Sequence, residues 1–136
     1  MVKQVDIISY SVKLLNNKIY FINDLYKKLI IKYHVKDVNK TIKKLIQRDF
    51  INDRKAASIY LKNLIEYKLY GKRYIYSFFE RKNISKKLID YLLKSYSDEI
   101  FIQNKQSLIT ELRKKNKTEK CINEFLLRKG YDIDEY

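Results

Sequence analysis

A pattern that returns every 45 to 50 residues constrains this chain more than any single motif. Helix-start acids stand at Asp53 and Asp98, 45 residues apart, and second-helix ends stand at Tyr33, Asn83 and Gly130, 50 and 47 apart. The fullest copy runs from Phe50 to Ile84. It has an acidic start at Asn52–Asp53, small residues at Ala56–Ala57, Gly71 beside Lys72–Arg73, and the tail Phe79-Glu80-Arg81-Lys82-Asn83-Ile84. A unit of this size buries too little surface alone and must pack against its neighbours. The spacing predicts an all-α fold of tandem three-helix repeats, about 4–50, 52–96 and a truncated 97–136. Together they would form one domain over 1–136 with an elongated, curved body.

Local patterns agree with helices. The 136 residues contain no proline and only two glycines, so strong turn signals are scarce. Apolar steps of three and four predict a first helix through Val5, Ile8, Val12 and Leu15, with a break at Asn16–Asn17. A second carries Ile22, Leu25 and Leu29 to about Tyr33. A short connection, His34–Lys36, leads to a third helix capped by Asp37, burying Val38, Ile42, Leu45 and Ile46. In the next unit Asn52–Asp53 start a helix with Ala57, Tyr60, Leu61, Leu64 and Ile65 inward. Ile75, Phe78 and Phe79 face inward after Gly71, Asn83 supplies a left-handed stop, and Ser85 caps a helix burying Leu88, Ile89, Leu92 and Leu93. The last unit starts at Ser97-Asp98-Glu99 and presents Ile102, Leu108, Ile109 and Leu112. Asn116 to Glu119 resembles a capping box with Glu119 reaching back, Ile122, Phe125 and Leu126 follow, and Gly130 ends the helix.

Charge narrows the functional classes. The net charge is +14, and its distribution is uneven. Residues 1–52 carry 11 basic and 4 acidic side chains, residues 53–97 again 11 and 4, and residues 98–136 carry 8 of each. A field of this kind favours polyanions or an acidic protein surface. Lysines outnumber arginines 24 to 6, as codon bias alone would produce, yet bias does not account for the neutral last third. A candidate basic face gathers Lys68, Lys72, Arg73, Arg81, Lys82, Lys86 and Lys87 in the middle unit. Lys27, Lys28 and Lys32 take the matching helix of the first, and Arg128 and Lys129 that of the third. Tyr67, Tyr70, Tyr74 and Tyr76 lie near enough in sequence to stack on bases, although tyrosines at helical spacing more commonly line a core.

Catalytic chemistry has few carriers. One histidine, His34, and one cysteine, Cys121, supply neither a usual zinc set nor a nucleophile–base pair. Gly71 and Gly130 are isolated, so no glycine-rich phosphate loop exists. Asp132, Asp134 and Glu135 read as a solvated acidic end rather than a cation site. The expectation is a non-enzyme without metal or cofactor. A single cysteine, no signal-peptide pattern at the start and no apolar run near the ~20 residues of a membrane span read as a cytoplasmic protein without membrane contact, expected to be a monomer.

The order and spacing of these residues resemble the RecX family, bacterial regulators of the RecA recombinase. Asp24-Leu25 with Lys28-Leu29 looks like the family's acid-Leu and Lys-Leu pairs. Leu45 followed by Phe50-Ile51-Asn52-Asp53 resembles its inter-repeat junction. Gly71, Ile75, Phe79, Lys82, Asn83 and Ile84 are similar to its Gly…Ile…Leu-x-x-Lys-Gly-Ile run. Phe125-Leu126-Leu127-Arg128-Lys129-Gly130-Tyr131-Asp132 is similar to its closing segment. Departures are Tyr33 and Asn83 in place of glycine, Phe21 in place of a capping serine, and a missing last helix. The resemblance covers roughly residues 8–134. It implies a protein that lies along the groove of a RecA–DNA filament, meeting single- or double-stranded DNA through it, and restrains ATP hydrolysis and strand exchange. The alternative reading is a general DNA-binding helical protein, for example a helix-turn-helix regulator acting without RecA.

Overall fold

The computed structural model describes residues 6–132. Their regular elements are all helices: α1 Ile7–Asn17, α2 Ile22–Leu29, α3 Val35–Gln47, α4 Asp53–Lys62, a π-helical turn Asn63–Tyr67, α5 Lys72–Arg81, α6 Lys86–Leu93, α7 Asp98–Lys114 and α8 Glu119–Arg128. The chain divides into two compact units, Met1–Ala57 and Ser58–Tyr136, with the boundary inside α4.

In the first unit α3 packs on both α1 and α2. Tyr20, Leu25, Leu29, Val38, Ile42, Leu45 and Ile51 form the core, with Val12 and Leu15 of α1 against it. Val5 lies outside the described residues. The position of α1 that is fully buried is Ser11, whose hydroxyl donates to the Ile7 carbonyl at 2.7 Å. That bond within its own helix satisfies the hydroxyl and lets a polar residue sit where the apolar stripe has a gap. Three expectations change here. The helix ends at Leu29 rather than near Tyr33. Helix α3 begins at Val35 with His34 as its cap, the Nδ1 atom accepting from the Lys36 amide at 3.2 Å, while Asp37 lies in the first turn. Ile46 is 45% exposed, and Thr41 takes the buried position on that face.

The start of α4 shows division of labour between neighbours. Asn52 caps α4 itself, accepting from the Lys55 amide at 3.1 Å. Asp53 instead accepts from the Ile22 amide at 2.7 Å, at the first turn of α2. The cap residue of α2 is Phe21, which has no side-chain acceptor and is 1% exposed. An aspartate 31 residues away therefore does for α2 what a serine at position 21 would do locally. Burial pushes the Asp53 carboxyl above the ordinary aspartate range, against the Ile22 bond, and the neighbouring Asp24 charge adds to the rise.

In the second unit Leu61, Leu64, Ile65, Ile75, Phe79, Ile89, Phe101, Leu108, Ile122 and Leu126 are buried. Asn83 has φ 61 and Gly130 φ 92, so both expected left-handed stops are present. Ser85 caps α6, accepting from the Leu88 amide at 3.2 Å. Of the four residues expected inward on α6 only Ile89 is fully buried. Ile102 is 61% exposed, and Phe101 and Lys105 take the inner face of α7 instead. Thr118 caps α8 through the Cys121 amide at 3.2 Å. Glu119 does not reach back. It is the first helical residue, and it pairs with Arg113 at 3.3 Å.

Candidate polyanion-binding surface

The second unit is built around its two glycines. The Gly71 amide donates to the Lys129 carbonyl at 2.7 Å and the Arg73 amide to the Gly130 carbonyl at 3.3 Å. A Cβ on Gly71 would lie 2.6 Å from the Gly130 carbonyl carbon, and one on Gly130 would lie 2.6 Å from the Tyr74 Cβ. Only residues without side chains permit this approach of the α5 start to the α8 end. The two glycines, isolated in sequence, form one joint.

The joint draws charged and aromatic groups around it. The Lys129 Nζ donates to the Lys68 carbonyl at 2.8 Å, and the Tyr131 hydroxyl to the Leu69 carbonyl at 2.6 Å. Leu69 has φ 56, and this fixed turn directs its carbonyl to that hydroxyl. Burial pushes the Tyr131 phenol up to about 12. Arg73 donates to the Tyr131 carbonyl at 2.6 Å and pairs with Asp132 at 2.9 Å. Lys105, 9% exposed, donates from Nζ to the Asp132 carbonyl at 2.5 Å. Lys72 pairs with Asp98 at 2.5 Å, and its hydrogen bond, with its charge behind it, pulls the Asp98 carboxyl below the usual range. A cleft of about 350 Å³ lies here, lined by Lys72, Asp98, Phe101, Ile102, Lys105, Gly130, Tyr131 and Asp132.

The twelve expected basic residues therefore fall into three groups. Arg73 and Lys129 tie the two sides of the joint, and Lys72 pairs with Asp98 of α7. Arg81 reaches the Ser77 carbonyl of its own helix at 3.4 Å. Lys82 lies 5.7 Å from the Phe78 ring centre, Lys86 5.9 Å from that of Tyr76, and Lys32 4.4 Å from that of Tyr10. Lys27, Lys28, Lys68, Lys87 and Arg128 are exposed. Lys27, Lys28 and Lys32 belong to the first unit and the other nine to the second.

The tyrosines serve the fold. Tyr70 and Tyr74 stack face to face at 3.7 Å, with Lys129 4.2 Å from the Tyr70 ring centre and Phe78 continuing the row at 6.5 Å from Tyr74. Tyr76 bonds Asp90, and burial pushes its phenol to about 12. Of these four tyrosines, only Tyr67 is largely exposed, at 73%. Tyr70 and Tyr74 thus spend ring faces on each other, which limits them as platforms for bases.

Among the described residues no group of three or more His, Cys, Asp or Glu could hold a metal ion, and no helix is long and apolar enough to cross a membrane. Asp132 is engaged by Arg73, while Asp134 and Glu135 lie outside the described residues. Lys105, Tyr131 and the glycine joint gave no sequence signal as a group, since each depends on partners 27 to 62 residues away.

No protein-family model matches the chain. A regulatory protein RecX of Listeria monocytogenes serotype 4a is 30% identical over 101 residues, 69% of this chain and 37% of the relative. That of Listeria welshimeri is 28% identical over 103 residues, 71% of this chain and 38% of the relative. A crystal structure of regulatory protein RecX matches 93% of this chain and 66% of its own, with a TM-score of 0.79 and 25% identity. The chain belongs to the RecX family. RecX from Lactobacillus salivarius shares the fold, with a TM-score of 0.73 and 24% identity over 95% of this chain and 91% of that one. The chain spans little more than a third of the length of the curated RecX relatives it matches. RecX proteins are regulators rather than enzymes.

Proposed function

We propose that this chain regulates RecA by binding the RecA–DNA filament along its groove, slowing ATP turnover and strand exchange without a catalytic step. The observation that carries the reading is the excess of lysine and arginine in the first 97 residues, in a chain of the RecX family. The expected elongated, curved body of three repeats belongs to this proposal. Repeated units give many weak contacts to a helical polymer, and their affinities add through avidity, so no single residue need dominate. Charge supplies attraction to phosphate and to acidic protein, and it weakens with salt. The reading includes a monomeric, cytoplasmic protein.

Sedimentation with assembled RecA filaments, against bare single-stranded DNA over a salt series, tests it. Retention on filaments at salt that releases the chain from bare DNA supports the proposal. Equal release from both favours the second reading, a general DNA-binding helical protein, which the same basic groups would serve.

A further inference from the structure

Among the described residues, the most exposed large hydrophobic side chain is Ile31, at 83%. It stands in the turn that follows α2, flanked by Ile30 at 38% and Val35 at 46%. The turn is fixed rather than loose. The Lys32 and Tyr33 amides both donate to the Leu29 carbonyl, at 3.1 and 2.9 Å, and the Leu29 side chain is fully buried. Tyr33 packs against Tyr10 at 6.0 Å, and Lys32 lies over the same Tyr10 ring. Ile31 is thus held out into water by a firmly seated base.

Nothing in the packing asks for an apolar side chain there. Helices α2 and α5 start 50 residues apart, at Ile22 and Lys72, so the matching position of the second unit is Arg81, which is exposed. The fold accepts a cation at that place. The surroundings of Ile31 are themselves cationic. Lys27 and Lys28 precede it by four and three residues, which is one helical turn and the same side. Lys32 and Lys36 follow, and no acidic residue lies between Asp24 and Asp37.

We propose that Ile31 is a wedge for duplex DNA, entering the minor groove at a base step while Lys27, Lys28, Lys32 and Lys36 engage the flanking phosphates. Branched aliphatic side chains on a basic support part base steps in this way, and the unstacking cost is offset by contacts to the bent duplex. Lysine is depleted at the cores of protein–protein interfaces, so a tip with four lysines within five residues of it suits phosphates better than a protein groove. A membrane surface would call for a longer amphipathic helix with a broad apolar face, and α2 has eight residues. The wedge acts on DNA without RecA, so its failure and that of the filament proposal are separable.

The test uses the full chain and a short duplex carrying 2-aminopurine beside a central TA step. Anisotropy gives affinity, and fluorescence of the analogue reports unstacking. Wild type is expected to bind and to brighten the analogue. Ile31→Ser is expected to lose the brightening and about tenfold in affinity, with an unchanged melting curve and an unchanged salt slope. Ile31→Leu should restore both signals. Replacing the four lysines by Gln should reduce the salt slope by about 0.9 for each phosphate no longer neutralised. Binding by Ile31→Ser equal to wild type, no brightening with wild type, or no binding to the duplex would each overturn the proposal. So would Ile31-dependent retention on anionic phosphatidylserine vesicles without unstacking of the duplex.

Discussion

Substitution of Gly130 by alanine tests the joint on which the second unit rests. Gly130 sits at φ 92, where an L side chain is strained by about 1–2 kcal/mol. The added Cβ would also lie 2.6 Å from the Tyr74 Cβ and 3.0 Å from its Cα, so the α5 backbone must move. Overpacking of this kind costs about 1–3 kcal/mol, and the movement would loosen the Arg73-to-Gly130 and Gly71-to-Lys129 bonds. The sum is about 2–5 kcal/mol, a large part of the ~5–15 kcal/mol that holds a domain together. At roughly 4–8 °C per kcal/mol for a unit of this size, the melting temperature should fall by at least ~8 °C. Gly71→Ala separates the two causes. Gly71 has φ −81, so alanine there carries no left-handed strain and only the clash with the Gly130 carbonyl group and the Tyr131 nitrogen remains. It should cost less, about 1–3 kcal/mol. Thermal melts by circular dichroism on both variants decide the matter. A drop of less than ~3 °C for Gly130→Ala would show that the backbones can part cheaply, and the joint would lose its place in this account.

Other substitutions report on single interactions. Asn83→Gly, at an exposed residue with φ 61, should raise stability by about 0.5–1 kcal/mol in a denaturant titration. Asp53→Ala should cost about 1 kcal/mol by removing the cap on α2, while Asp53→Asn should keep most of the bond to the Ile22 amide. The Asp53 carboxyl is raised in the fold, so its protonated form is favoured there. Its contribution is complete below the ordinary value of 3.8 and falls as pH rises through the raised one. Stability of wild type should therefore decline relative to Asp53→Asn across that window, and parallel curves would remove the reasoning. Lys105→Ala should cost about 1–3 kcal/mol through weaker packing and the missing bond to Asp132, whereas Lys105→Met, which keeps the buried stem, should lose less.

Steps of three and four residues revealed helix positions because burial of an apolar stripe leaves that trace in any order of packing. Local end signals were equally readable. Asn83, Ser85 and Gly130 each act within a few residues of their own backbone, and each does what its chemistry suggests. What was not readable is non-local. Asp53 looks like a cap for its own helix and caps another, because only the packed unit brings Ile22 beside it. Ser11 and Lys105 are polar, so hydropathy places them outside, yet a carbonyl partner for each allows burial. The π-helical turn at Asn63–Tyr67 changes the phase of α4, with the Asn104 side chain bonded to the Ile65 carbonyl at 3.0 Å. Of the candidate basic face, the residue types were legible from charge alone. Which of them are held by partners was not, since Lys72, Arg73 and Lys129 find theirs across 26 to 61 residues.

DNA-dependent ATP turnover by RecA from the same cell, measured as this chain is added to saturation, bears most directly on the proposed regulation. A fall in turnover that Gln replacement of Lys27, Lys28, Lys68, Arg81, Lys86 and Lys87 relieves is the predicted result. Turnover unchanged at saturation would contradict it.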